Sequence, residues 1–274
     1  MPSGSTGRRR EGRLSSKAVL LVVDIGNSST VMGIRADDGS IARRWRIRSD
    51  TERTSDELGV VLRALLNGAP AGLRSGYAAS VVPPLTGVFA EAARDHLGIQ
   101  VEEFRFGPEL GIHLDVDEPG RVGPDRVANT LAAHLEHPGP AIVVDFGTAT
   151  NFDVVSPEGA FLGGIIAPGL ESGFERFAAR TALLPRIAPA FPGTFIGRDT
   201  VANMQIGVYR GATAMVDGLV EGLREEWRED ARVIATGGLS RMVAPHCRTV
   251  DVVDPDLTLK GVGWGYDRLH PRTA

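Results

Sequence analysis

One pattern occurs twice in this chain of 274 residues, and it constrains the fold more than any other feature. The apolar run Ala18 to Val23 ends in Asp24 and a glycine turn, Ile25-Gly26-Asn27-Ser28-Ser29. The run Ala141 to Val144 ends in Asp145 and a second turn, Phe146-Gly147-Thr148-Ala149-Thr150, with the two aspartates 121 positions apart. Both runs are too short for a typical helix and rich in Val, Leu or Ile, so they read as buried strands. Each is followed by two further strand signals. These are Thr30–Ile34 and Ile41–Arg48 around the hairpin Asp37-Asp38-Gly39-Ser40, then Phe152–Val155 and Ala160–Ile166 around Ser156-Pro157-Glu158-Gly159. A repeat at this scale predicts an α/β chain of two related halves, at about 18–120 and 121–270.

Helix signals fill the spaces between the strands. Thr54-Ser55-Asp56-Glu57 is a capping-box start for a helix through Leu66, and Leu85–Leu97 reads as a second helix after a strand at Tyr77–Val82. Further helices are expected at Asp125–His137, about 170–180, 200–224, after Gly238 and from Leu257, with strands at Arg232–Ala235 and Thr249–Val253. The stretch 200–219 is apolar enough for either a core helix or a contact with a second subunit.

Glycine makes up 34 residues, about 12% against a usual ~7%, which suggests tight turns or backbone held close to a ligand. A net charge of -4 gives no basic field for nucleic acid. Residues 1–17, Ser-, Gly- and Arg-rich, read as a disordered basic tail. No apolar stretch reaches a membrane span, and no secretory signal pattern follows the tail, so the expectation is a cytoplasmic protein. The single cysteine, Cys247, excludes an internal disulfide and reads as an inert thiol despite its neighbour His246. His134 and His137 read as solvated residues at a helix end rather than metal ligands.

An Asp-x-Gly turn after a buried strand has useful chemistry. Glycine exposes backbone N–H groups to a phosphate, Asn27, Ser28 and Thr148 add polar side chains, and the strand-end carboxylate suits Mg²⁺. Two such turns can form a two-sided phosphate clamp. A third glycine element, Thr236-Gly237-Gly238, lies between a strand and a helix, where a nucleoside could rest on backbone. Asp125, ahead of Arg126–Leu135, reads either as a helix N-cap or as a chemical base.

Together these segments resemble the type III pantothenate kinases of the acetate and sugar kinase/actin superfamily. The resemblance rests on DIGNSSTVMGI at 24–34, SVVPP at 80–84, VGPDRVAN at 122–129, VVDFGTATNFDVV at 143–155, GGIIAPGL at 163–170, IGRDTVANMQIG at 196–207, ATGG at 235–238 and DPDLTLKG at 254–261. It implies two actin-like (ribonuclease H-like) domains, each a mixed sheet flanked by helices, with the nucleotide cleft between them. It also implies ATP-dependent phosphorylation of pantothenate, the first step of coenzyme A biosynthesis. By resemblance Asp125 is the general base, and Asp24 and Asp145 serve a metal site. Asp24, Gly26, Asn27, Ser28, Gly147, Thr148, Ala149, Thr236, Gly237 and Gly238 would hold the nucleotide. Val116, Gly123, Pro124, Arg126 and Thr181 would line the pantothenate site. ATP with Mg²⁺, a monovalent cation (K⁺ or NH₄⁺) and a homodimer are the implied cofactors and partner.

The departures from the family pattern fall mostly on the acceptor side. Val116-Asp117-Glu118-Pro119 stands where a Tyr-x-Asn-Pro segment is common, and Glu118 would repel the anionic pantothenate unless turned away or paired with Arg121 or Arg126. Asn151, Asp199, Asn203 and Ile206 replace a usual Thr, Asn, Ala and Ser. Two other functions therefore stay open on the residues: a kinase for another small hydroxylated acceptor, and a diverged nucleotide-binding paralogue with little kinase activity.

Overall fold

The computed structural model describes residues 19–69, 72–170, 172–173, 184–185 and 187–271. The predicted repeat is present strand for strand. β1 (Leu20–Ile25), β2 (Ser29–Arg35) and β3 (Ile41–Arg48) form an antiparallel meander, and β6 (Ala141–Phe146), β7 (Ala149–Val155) and β8 (Phe161–Pro168) form another. Both meanders carry a register shift at the equivalent place, Ile34/Arg35 and Val154/Val155. The spacing between copies falls from 121 in the first strands to 120 in the second, because the second glycine turn is one residue shorter.

A parallel strand then flanks the other side of each central strand: β4 (Ser75–Ser80) beside β1, β9 (Arg232–Gly237) beside β6. With β5 (Gln100–Glu103) and β10 (Val252–Val253) this gives two five-stranded mixed sheets, ordered β3-β2-β1-β4-β5 and β10-β9-β6-β7-β8.

Strand alternation explains how the sheets stack. In β1, Leu21, Val23 and Ile25 face α1 (Ser55–Leu65) and α2 (Pro83–Leu97), while Leu20 and Val22 face α3 (Pro124–Glu136) and the last helix, α7 (Leu257–Leu269). In β6, Ile142, Val144 and Phe146 face α5 (Gly211–Trp227), while Ala141 and Val143 face α3 and α7. The pair α3/α7 is thus shared between the two sheets. The two helices cross closely because Gly261 lacks a side chain: a Cβ there would overlap the Ala128 carbonyl. Thr258 Oγ1 donates to Asn129 Oδ1 at 2.8 Å across the same crossing.

Local chemistry accounts for the helix ends. The capping box forms as expected, with Glu57 N donating to Thr54 Oγ1 and Thr54 N to Glu57 Oε2. Prolines occupy the first turn of α2 and of α3, where a missing N–H costs nothing. Three expectations need correction. The strand expected at Tyr77–Val82 runs Ser75–Ser80, and only Val252–Val253 of the expected Thr249–Val253 is strand. The single helix expected over 200–224 is three pieces: α4 (Thr200–Gln205), a π-helical stretch Ile206–Arg210, and α5. Within it Ala212, Val216 and Val220 are core residues against the second sheet. The helix expected at 170–180 falls largely outside the described residues. A short helix α6 (Ser240–Val243) follows β9. No described helix is long and apolar enough to cross a membrane.

Candidate active site

Period-two alternation puts both repeat aspartates in one place. Asp24 follows Leu20 and Val22 on the inner face of the first sheet, and Asp145 follows Ala141 and Val143 on the inner face of the second. Both therefore reach the open end of the gap that α3 and α7 fill. There they join Asp125, from the first turn of α3, in a cleft of ≈ 1010 Å³. The glycine turns Gly26-Asn27-Ser28 and Gly147-Thr148-Ala149 both line it, one from each half of the chain, and Gly237 and Gly238 line it as well. The turns touch each other: Thr148 Oγ1 donates to Ser28 Oγ at 2.8 Å. Gly237, at φ +89°, cannot carry a side chain, since a Cβ would run into the Asp145 carboxylate and the Phe146 backbone.

The carboxylates are electrostatically unsettled. Burial, then Asp125 and Asp145, push Asp24 well above the usual carboxylate range, against a lowering by Arg44. Burial and Asp125 raise Asp145 to about 6, against a hydrogen bond from Asn129 Nδ2 at 3.2 Å. Burial raises Asp125 too. Carboxylates that raise one another's pKa in this way form a donor set suited to a hard cation with oxygen ligands. Their oxygens do not come within 4.8 Å as a trio. Among the described residues the set that does is Glu136, His137 and Asp254. Its charge is already met by Lys260 Nζ, 2.8 Å from Glu136 and 2.7 Å from Asp254.

Asp125 is not the helix cap that its position suggested. Gly123 holds the N-cap position with no side-chain bond, and Asp125 lies inside the first turn, where its Oδ1 accepts the Arg126 N–H at 2.9 Å. A Cβ at Gly123 would displace that oxygen, which explains the glycine. Arg126 turns away from the cleft. Its Nε donates to the fully buried Asp153 at 2.6 Å, its guanidinium lies 5.0 Å over the Phe161 ring, and its Nη2 has no partner. Burial is the main cause holding Asp153 at about 7 despite this pairing.

The remaining expected residues separate into groups. Gly123, Pro124, Arg126 and Val116 do not line the cleft; Val116 packs toward Gly163 beside the Phe161 strand. Thr236 is buried beneath the third glycine turn, its hydroxyl without a partner. Thr181 lies outside the described residues. Glu118 is paired with Arg121 at 2.7 Å on the surface, so its charge is met there. Asp199 caps α4 by accepting the Ala202 N–H. Asn151 lines the cleft opposite Asp145, its side-chain oxygen buried and unpartnered.

The histidine expectation fails in part. His134 and His137 are half-buried, and the His134 ring packs on the Gly159 turn. Cys247 is a buried thiol that burial pushes up to about 12, and His246 stacks on Phe191 instead of engaging it.

A family described as type III pantothenate kinase matches residues 20–222, which include both repeat aspartates, both glycine turns and Asp125. The chain belongs to the type III pantothenate kinase family. It is 44% identical over 257 residues to the type III pantothenate kinase of Rhizorhabdus wittichii, covering 92% of this chain and 98% of that one. It is also 44% identical over 256 residues to that of Acidothermus cellulolyticus, covering 92% and 100%. Among solved structures, the Clostridium difficile activator of 2-hydroxyisocaproyl-CoA dehydratase with bound ADPNP matches with a TM-score of 0.51 at 12% identity, covering 92% of this chain and 96% of that one. That likeness carries the fold alone, two mixed sheets of the actin-like kind. A pantothenate kinase is a phosphotransferase that takes its phosphoryl group from ATP, and its cleft must hold a polyanion beside a hydroxyl acceptor.

Sequence reasoning missed several residues lining that cleft: Arg44, Arg46 and Arg48 from β3, and Pro255, Thr258 and Leu259 at the start of α7. The Arg-x-Arg-x-Arg alternation in β3 was the available signal for the first group.

Proposed function

We propose that this chain phosphorylates the pantothenate hydroxyl through Asp125 as general base, with the two glycine turns holding the ATP triphosphate. The observation that carries the proposal is the convergence of three carboxylates and both turns on one cleft. Backbone N–H groups and the Ser28 and Thr148 hydroxyls supply donors for phosphate oxygens. The hydroxyls now bonded to each other would exchange that bond for bonds to the nucleotide. Asp24 and Asp145 would hold Mg²⁺, which when bound supplies charge neutralisation for the transferring phosphoryl group. A monovalent cation, K⁺ or NH₄⁺, would complete the cofactor set.

Asp125 accepts the hydroxyl proton. Burial raises its pKa above that of an ordinary aspartate, which makes the carboxylate, when ionised, the stronger base. In this reading the acceptor is held beside Arg126, Gly123, Pro124 and Val116, and the ion pair with Asp153 fixes the Arg126 guanidinium. The acceptor site would be completed by Thr181 of a second subunit in a homodimer. The pairing of Glu118 with Arg121 supports pantothenate, an anion, as the acceptor.

The test is direct. Purified protein with ATP, Mg²⁺ and K⁺ should form phosphopantothenate. Intact nucleotide binding without turnover would overturn the proposal in favour of a binding paralogue, and turnover only with another hydroxylated acceptor would overturn the pantothenate assignment.

A further inference from the structure

The cleft has a third charged wall that neither glycine turn accounts for. β3 presents Arg44, Arg46 and Arg48 on one face, all three lining the cleft. Arg44 is already engaged, at 3.1 Å from Asp256 Oδ1 and 3.2 Å from the Pro255 carbonyl, and it is the arginine that lowers the pKa of Asp24. Arg46 and Arg48 are exposed, and among the described residues neither makes an ion pair. Two unpaired guanidiniums facing a cleft lined by phosphate-type turns call for an anion.

The sheet register fixes where that anion lies. Arg46 pairs with Val31, and Val31 pairs with Asp24, so the two residues share one row on one face, their backbones two strands or about 10 Å apart. Arg48 pairs with Ser29, at the end of the first glycine turn. Arg46 also reaches the other half of the molecule: its Nη1 lies 2.9 Å from where a Gly238 Cβ would stand. A side chain at Gly238 would have to displace that guanidinium.

We infer that Arg46 and Arg48 bind the polyphosphate of the nucleotide from β3, Arg48 beside the first glycine turn and Arg46 between that turn and Gly238. This deepens the proposed function and rests on its placement of phosphates between the turns. It assigns nucleotide affinity mainly to phosphate charge, with adenosine making little use of the two side chains.

Calorimetric titration of the full chain with inorganic triphosphate, ATP and adenosine tests it. Arg46→Ala and Arg48→Ala should each weaken triphosphate and ATP about ten-fold, as loss of a charged hydrogen bond does, and leave adenosine within about two-fold. Arg43→Ala, on the same strand but donating to the Gly68 carbonyl outside the cleft, should leave all three within about two-fold. The KM for pantothenate at saturating ATP should not move. Wild-type affinity for triphosphate in both variants, an equal loss of adenosine binding, or an equal loss in Arg43→Ala would overturn the assignment. A wild-type protein that binds no triphosphate would instead overturn the phosphate placement itself.

Discussion

The meanders β1-β2-β3 and β6-β7-β8 share their backbone plan, the burial order of their first two strands and a common bulge, yet they present different chemistry to the cleft. In the first copy the row from the aspartate outward reads Asp24, Val31, Arg46; in the second it reads Asp145, Asn151, Ile166. Two residues further along the second strand of each meander, Gly33 of the first copy corresponds to the buried Asp153 of the second. The shared parts are a strand-end carboxylate and a glycine turn, the elements that the proposed function assigns to the metal and the phosphates. The unshared parts divide the labour. The first copy adds cationic side chains along the cleft, and the second adds an anion that holds the Arg126 guanidinium. The repeat supplies two matching strand-end carboxylates and glycine turns, and side-chain divergence on a shared backbone plan gives the two halves different charges.

The largest expected effect concerns Asp125, which belongs to neither meander. Asp125→Asn should lower kcat by about 10²–10⁴ while ATP affinity measured by titration stays within two-fold. Unchanged turnover would leave Asp125 a helix residue and move the chemistry to the repeated aspartates.

The next contrast is between Asp153 and its counterpart Gly33. Asp153→Ala leaves the Arg126 guanidinium without its buried partner and should cost about 3–5 kcal/mol in denaturant unfolding. Gly33→Ala must only move the Ile41 and Leu259 side chains, at 2.8 and 3.1 Å, and should cost about 1–3 kcal/mol. Equal costs would show that the ion pair contributes nothing beyond packing.

A smaller effect tests the electrostatic strain in the clamp. Asp145 titrates near 6 in the folded chain, above an unfolded carboxylate. Between those two values the native state holds a proton that the unfolded state has lost, so this group's contribution to stability falls as pH rises through the window. Asp145→Asn should therefore stabilise the ligand-free protein by about 1–3 kcal/mol at pH 7–8, and the gain should vanish near pH 4. A gain independent of pH would point to packing.

The smallest effect is at the contact between the copies. Ser28→Ala and Thr148→Ala should each cost no more than about 1 kcal/mol, and the double variant no more than either, because the two hydroxyls share one bond. Additive costs would mean that each hydroxyl has its own role in the ligand-free protein.

Much of the fold was legible because apolar runs of period two and glycine turns are local signals. The meanders and the capping box at Thr54 could be read that way. The break at Ile206–Arg210 was not legible, since a π-helical stretch keeps an apolar pattern close to that of a helix and departs only in its backbone bonds. The face to which Thr236 turns was also hidden. It sits in register with Asp145 at a turn where the chain leaves the sheet, and its burial depends on what packs beneath. The arginines of β3 were visible as letters but not as a site, because an exposed strand face gains meaning only from what stands opposite.

The sequence by itself determined the two strand–turn units, their aspartates and the family, since each is encoded within a few adjacent residues. Tertiary structure alone decided that the two carboxylates face one cleft with Asp125, that Arg126 is held by Asp153, and that Arg46 reaches Gly238. Those relations join residues that are far apart in the chain. They exist only because α3 and α7 pack between the two sheets and set the distance across which the two copies meet.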